Sequence, residues 1–174
     1  MLSSTSYYGE YHGHTIPDLE TVHAALREDG KPICFLAGDS SLDNKHWFHD
    51  TARAEGPFSK ILDPSRSTQD IEYWLTRESK RRGAGYNCLN SAVEESTVGN
   101  RTHGAGGNGT GKLLPQDVFI QQNIREEDVL IVSGTPVPKY LSTHLTSLTV
   151  STCQSVATTL HCAPITSPSA TWRF

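Results

Sequence analysis

The chain has 174 residues, of which 36% are hydrophobic and 20% are charged, and this composition predicts one folded domain and excludes wholesale disorder. No run approaches 18 apolar residues, so no transmembrane helix is predicted, and the first residues lack the basic cap and apolar core of a secretory signal, so we expect a cytoplasmic protein. The formal net charge of −4 argues against broad nucleic-acid binding.

The first 133 residues alternate between predicted helices and predicted strands. Apolar side chains recur at helical spacing in three segments, residues 17–27, 69–82 and 116–124. Continuous apolar runs predict three buried strands at residues 32–37, 86–89 and 129–133. Because buried strands that alternate with helices form parallel sheets, we expect an α/β fold with helices on both faces of the sheet.

Two finer expectations concern the interior. The second predicted helix should direct Ile71, Trp74 and Leu75 to one side, and its basic end precedes Gly83. Four cysteines occur without a C-x-x-C pair and are expected to be reduced, with Cys34 and Cys88 as small core residues.

The composition changes near the end of the third predicted strand. All 19 acidic residues lie at or before Asp128, and 15 of the 41 residues from 134 to 174 are Ser or Thr. We therefore divide the chain into an α/β domain, residues 1–133, and an atypical tail, residues 134–174. Three interpretations of the tail are open: a flexible Ser/Thr-rich segment, out-of-frame or mis-spliced sequence, or short edge strands. The second interpretation is preferred, because the tail lacks the charge alternation of a solvent-facing helix.

A serine follows the first predicted strand directly, in the sequence Gly38-Asp39-Ser40-Ser41. Ligands of parallel sheets bind at the carboxyl ends of the strands, and Ser40 would stand at the start of the helix that follows. Free backbone N–H groups there would stabilise developing negative charge, which suits a nucleophile that attacks a carbonyl. The alternative is that one of these residues only caps a helix.

Residues 33–42, ICFLAGDSSL, resemble the first block of the GDSL/SGNH hydrolases, which are serine esterases, lipases and acyl hydrolases. The resemblance extends over roughly residues 30–133. It implies a three-layer α/β/α, flavodoxin-like parallel sheet, a small-molecule ester as substrate, and neither cofactor nor metal. It also implies that Ser40 is the nucleophile and that its own backbone N–H forms part of the oxyanion hole.

The family's second block, N-x-x-[IV]-x-G-x-T, is similar to residues 90–97, NSAVEEST. Asn90, Val93 and Thr97 match, and Glu95 stands in place of the glycine. Glu95 retains a backbone N–H that can donate to an oxyanion, but its carboxylate would oppose the negative charge unless it faces solvent. The alternative is a strand exit in which Glu94 and Glu95 open a helix.

The later family blocks are altered. The third block, G-x-N-D, would follow residues 129–133, where Gly134 matches but Pro136 and Val137 replace the Asn and Asp. The final D-x-x-H block is missing, because the tail contains His144 and His161 but no Asp. The sheet is therefore expected to be incomplete at its C-terminal side, and the domain is either a hydrolase of doubtful activity or a non-catalytic relic or binding module of the same fold.

Three weaker candidates remain. Asp43 and His46 have D-x-x-H spacing, so His46 is an alternative base, although on a helix it would point about 240° away from Ser40. Residues 106–112 resemble a nucleotide-binding P-loop, but Leu113 replaces the hydroxyl residue that holds magnesium and Pro115 interrupts the expected helix. His12 and His14 could bind a metal only loosely.

Overall fold

The structure, a computed structural model, describes residues 1–97 and 113–134. In these residues seven strands are formed, β1 (Leu2–Ser3), β2 (Ile33–Gly38), β3 (Thr51–Arg53), β4 (Leu62–Asp63), β5 (Arg66–Thr68), β6 (Asn87–Asn90) and β7 (Val129–Ser133). The α-helices of the same residues are α1 (Ser4–Gly9), α2 (Ile16–Glu28), α3 (Phe58–Ile61), α4 (Ile71–Arg82) and α5 (Pro115–Asn123). Together they make a mixed α/β fold.

The central sheet has the order β6-β2-β7, and both pairings are parallel. Cys34 lies beside Cys88 on one side and beside Val129 on the other. The three predicted strands and their parallel arrangement are thereby confirmed. The first two are each shifted by one residue relative to the apolar runs that predicted them.

Alternating residues of β2 face opposite sides of this sheet. Ile33, Phe35 and Ala37 pack in a core that includes α2 and α5 side chains such as Leu19 and Phe119. Cys34 and Leu36 pack on the other face with Cys88 and with Ile71 and Leu75 of α4. Side chains of α2 and α5 thus pack on one face of β2 and side chains of α4 on the other, and Cys34 and Cys88 are buried free thiols.

The inward side of α4 differs from the prediction. Trp74 is 43% exposed and lies beside the Arg77 guanidinium, so its predicted inward orientation is wrong. Glu72, Thr76 and Ser79 are buried instead. They occupy the inward side because they hydrogen-bond the backbone of the neighbouring strand, a role that hydrophobic spacing does not indicate.

Two small sheets lie outside the three predicted strands. Strands β1 and β4 pair in parallel, and β3 and β5 pair antiparallel. Each of these strands has only two or three residues, which is too short for an alternating pattern to identify. Among residues 1–97 and 113–134 no helix combines the length and apolarity that crossing a bilayer requires.

Candidate functional site

The Ser40 turn, residues 38–43, leaves the carboxyl end of β2 and forms a single helical turn. The Asp39 carbonyl accepts from the Leu42 and Asp43 N–H groups at 3.0 and 2.9 Å. A 3-10 turn at Lys45–Trp47 follows, so the helix expected to begin at Ser40 is not formed. Asp43 and Lys45 are both buried, and an α-helix would place residues two apart about 200° from one another.

The Ser40 turn also contacts the end of β7. A Cβ atom on Gly38 would lie 2.2 Å from the Ser133 carbonyl oxygen, so only glycine fits between these two strand ends. The hydroxyls of Ser41 and Ser133 are 2.7 Å apart and hydrogen-bonded. The turn is thus held at the edge where β2 and β7 both terminate.

The segment after β6, residues 91–96, packs against the Ser40 turn and is called the 91–96 loop below. The Val93 N–H and the Ser96 hydroxyl donate to the Gly38 carbonyl at 2.8 and 3.2 Å. The Asn90 side-chain amide donates to the Leu42 carbonyl at 2.8 Å. The carboxyl ends of β2 and β6 therefore bring together the two segments that carry Ser40 and Glu95.

Glu95 has a left-handed backbone conformation, with φ of +60°. This conformation is uncommon for residues other than glycine, and it excludes the alternative in which Glu94 and Glu95 open a helix. The Glu95 side chain is exposed and accepts from the Tyr11 hydroxyl at 3.3 Å. Its backbone N–H meets no acceptor among the described residues. The sequence contains no pattern that could have indicated the part played by Tyr11.

The Ser40 side chain is exposed, and no described residue hydrogen-bonds its hydroxyl. The His46 ring lies edge-on to the rings of Tyr11 and Trp47, at centroid distances of 5.1 and 5.6 Å. No hydrogen bond links His46 to Ser40, and the role of His46 as a base stays a prediction. The described residues therefore supply a serine hydroxyl and backbone donors but no base bound to that hydroxyl.

Several ionisable side chains are buried near Lys45. Lys45 pairs with Asp43, and both are about 1% exposed. Burial raises the pKa of Asp70 to about 7, and burial and the nearby Asp70 raise the pKa of Glu72 well above its usual value. Burial and the Lys45 charge lower the pKa of His14 well below its usual value. The cluster thus holds one ion pair among groups that burial favours in their neutral forms.

The two histidines considered as a loose metal pair have different surroundings. His14 is buried and stacked on Tyr7 at a centroid distance of 3.9 Å, whereas His12 is exposed. Their imidazoles do not share a surface on which both could bind one ion. Among residues 1–97 and 113–134, no three His, Cys, Asp or Glu side chains come together as a metal site.

Several sequence predictions lie outside the described residues. They are the P-loop-like segment at residues 106–112, the altered third block at Pro136 and Val137, and the tail histidines His144 and His161. Comparison of the chain with protein-family models, with curated proteins and with solved structures finds no match in any of the three.

Proposed function

We propose that residues 1–133 form a serine hydrolase domain of the GDSL/SGNH type, with a flavodoxin-like three-layer arrangement that is incomplete after β7. Ser40 is its nucleophile, and small carboxylic esters are its substrates. The observation that carries this proposal is the backbone of Glu95, because a non-glycine residue adopts a left-handed φ at the position where the family has glycine. The contacts of the 91–96 loop with the Ser40 turn support it further.

In the proposed reaction the Ser40 Oγ attacks the acyl carbon of the ester, and a tetrahedral intermediate with a negatively charged oxygen forms. The backbone N–H groups of Ser40 and Glu95 donate to that oxygen; neither has an acceptor among the described residues. The proton of the Ser40 hydroxyl passes through solvent water to the alcohol as it leaves, and an acyl-serine remains. Water then attacks the acyl carbon, releases the carboxylic acid and returns a proton to Ser40. The Glu95 carboxylate is held by Tyr11 at the exposed surface, where solvent screens its charge.

The experiment is covalent labelling with a fluorophosphonate, followed by intact mass and peptide mapping. We expect one adduct, on Ser40, because the attack and the oxyanion contacts are those of the ester reaction. Ser40→Ala should abolish this adduct. The matched control is Ser41→Ala, since Ser41 is the adjacent exposed serine, and it should leave labelling at Ser40 in place.

A non-catalytic binding module is the second candidate, and it is favoured by the lack of any hydrogen bond to the Ser40 hydroxyl among the described residues. Labelling distinguishes the two. A chain that binds fluorophosphonate at no serine, or equally at Ser40 and Ser41, would contradict the hydrolase proposal and favour the module.

A further inference from the structure

One buried carboxylate connects the Ser40 turn to the 91–96 loop. Asp43 Oδ2 accepts from the Glu94 backbone N–H at 2.8 Å, and Asp43 Oδ1 accepts from the Lys45 ammonium. Asp43 is about 1% exposed, so both contacts are shielded from water. Glu94 directly precedes Glu95, the proposed oxyanion donor.

We propose that Asp43 is a positioning residue of the site. Its carboxylate fixes the Glu94 amide, and this bond keeps the following Glu95 N–H in register with the Ser40 turn. The inference rests on the proposed function of Ser40, and it assigns a role in that reaction to a residue outside the family's motif blocks.

The other contacts between the two segments do not replace this one. Val93 N–H and Asn90 Nδ2 hold the start of the 91–96 loop, and the Ser96 hydroxyl holds its end. Within the loop, the Ser96 N–H donates to the Val93 carbonyl at 3.2 Å and closes the turn in which Glu95 has its left-handed φ. Among the described contacts, Asp43 bonds the Glu94 N–H and so joins the middle of this turn to the Ser40 turn. Without that bond the turn would be free to shift relative to Ser40, and the Glu95 N–H would shift with it.

The Lys45 charge offsets the free-energy cost of burying the Asp43 carboxylate. A buried carboxylate without a cation is strongly unfavourable, and a hydrogen bond to an ionised acceptor is stronger than one to a neutral acceptor. Lys45 is itself about 1% exposed, and its charge also acts on Asp70, Glu72 and His14. Asp43 and Lys45 thus form one unit, so the Asp43→Ala variant is compared with a double variant in which neither charge is left buried without its partner.

The first test compares the rate of fluorophosphonate labelling at Ser40 per folded molecule. We expect Asp43→Ala to slow it about 10-fold or more, since a displaced donor loses much of its stabilisation of the oxyanion. Asp43→Asn combined with Lys45→Met removes both charges but keeps an amide oxygen for the Glu94 N–H. This double variant should label within about 3-fold of the natural chain, because the acceptor remains in place.

Asp128→Ala is the matched control. Asp128 is also a buried carboxylate, and it accepts from the Arg27 guanidinium and, at 2.7 Å, from the Ile33 backbone N–H. This pair lies at the start of β2, at the edge opposite Ser40. Asp128→Ala should lower the thermal midpoint as Asp43→Ala does, yet leave the labelling rate of the folded molecules unchanged.

Amide hydrogen exchange gives a readout that does not depend on chemistry at Ser40. Asp43→Ala should speed exchange at Glu94, and Asp43→Asn with Lys45→Met should restore its protection. Unchanged exchange in Asp43→Ala, an unchanged labelling rate, or an equal loss of labelling in Asp128→Ala would each overturn the inference. If the natural chain is not labelled at Ser40, the proposed function fails and the exchange result alone decides whether Asp43 orders the loop.

Discussion

Gly38 and Glu95 are the two residues at which backbone geometry shapes the surroundings of Ser40. Gly38 permits the close approach of two strand ends, because a side chain there would meet the Ser133 carbonyl. Glu95 has a left-handed φ in the turn of the 91–96 loop. Sequence reasoning found both positions, since each stands in a motif block, but the left-handed φ of a glutamate was visible only in the structure.

Gly38→Ala tests the close approach. The added Cβ would lie 2.2 Å from a backbone oxygen, which cannot move without displacing β7. We expect a loss of about 2 kcal/mol or more in the free energy of unfolding, measured by urea denaturation, as for other overpacked sites. Gly9→Ala is the control, because a Cβ at Gly9 has no neighbour within 4 Å. An equal stability in both variants would contradict the crowding argument.

Other residues of the site carried no usable signal in the sequence. Asp43 and Lys45 belong to a stretch whose sequence predicts the first turns of a helix. Both are buried, although charged residues are usually exposed, so residue type gives no indication of their burial. Tyr11 reaches Glu95 across 84 residues of chain. Contacts of this kind depend on how elements pack, so local spacing does not reveal them.

At the scale of elements, α4 completes one edge of the central sheet. The outer edge of β6 has no strand beside it in the described order β6-β2-β7. Side chains of α4 accept from the N–H groups of alternate residues there: Ser79 from Tyr86, Thr76 from Cys88 and Glu72 from Asn90, at 3.0 to 3.1 Å. This pairing protects an edge that would otherwise expose unpaired backbone groups.

Asp70 is the N-cap residue of α4, and its ionisation makes the free energy of unfolding depend on pH. Its Oδ1 caps the helix by accepting from the Tyr73 N–H at 3.0 Å, and burial raises its pKa to about 7. Between its unfolded value near 4 and about 7, the unfolded chain has lost a proton that the folded chain keeps. The contribution of Asp70 to stability therefore falls as pH rises through this window.

Asp70→Asn keeps a good N-cap and removes this titration. We expect the free energy of unfolding of the variant, relative to the natural chain, to increase between pH 4.5 and pH 8, as followed by thermal or urea denaturation at each pH. Glu78→Gln on the same helix is the control, since the Glu78 side chain is partly exposed and its pKa is lowered to about 2 by Arg81 and Arg82. A difference for Asp70→Asn that does not change with pH would contradict the assignment.

The sequence predicted the elements that have a long hydrophobic pattern. Helices α2, α4 and α5 and strands β2, β6 and β7 were each located within a residue or two. The inward side of α4 was misjudged because its buried residues are polar and satisfy the backbone of β6. The short pairs β1–β4 and β3–β5 depend on tertiary contacts and left no periodic signal.

At the scale of the whole molecule, the N-terminal segment packs against the 91–96 loop. Gly13, with φ of +82°, passes so near this loop that a Cβ there would lie 3.0 Å from the Ala92 carbonyl oxygen. Tyr11 bonds Glu95 from the same segment. At the far edge of the sheet, Asp128 joins α2 to β2 through Arg27 and the Ile33 N–H. Asp128, the last acidic residue of the chain, thus stabilises the contact between α2 and β2.

The division of the chain at residue 133 leads to a prediction about turnover. No described residue hydrogen-bonds the Ser40 hydroxyl, and residues 129–174 contain no carboxylate that could orient His144 or His161 as a base. We therefore expect the purified chain to hydrolyse p-nitrophenyl acetate only slowly, because attack by a Ser40 hydroxyl without a general base loses orders of magnitude in rate relative to an intact triad. Release of p-nitrophenol should show this residual rate, and Ser40→Ala should remove it while His161→Ala leaves it unchanged. Fast turnover that disappears in both variants would mean that the tail supplies the base.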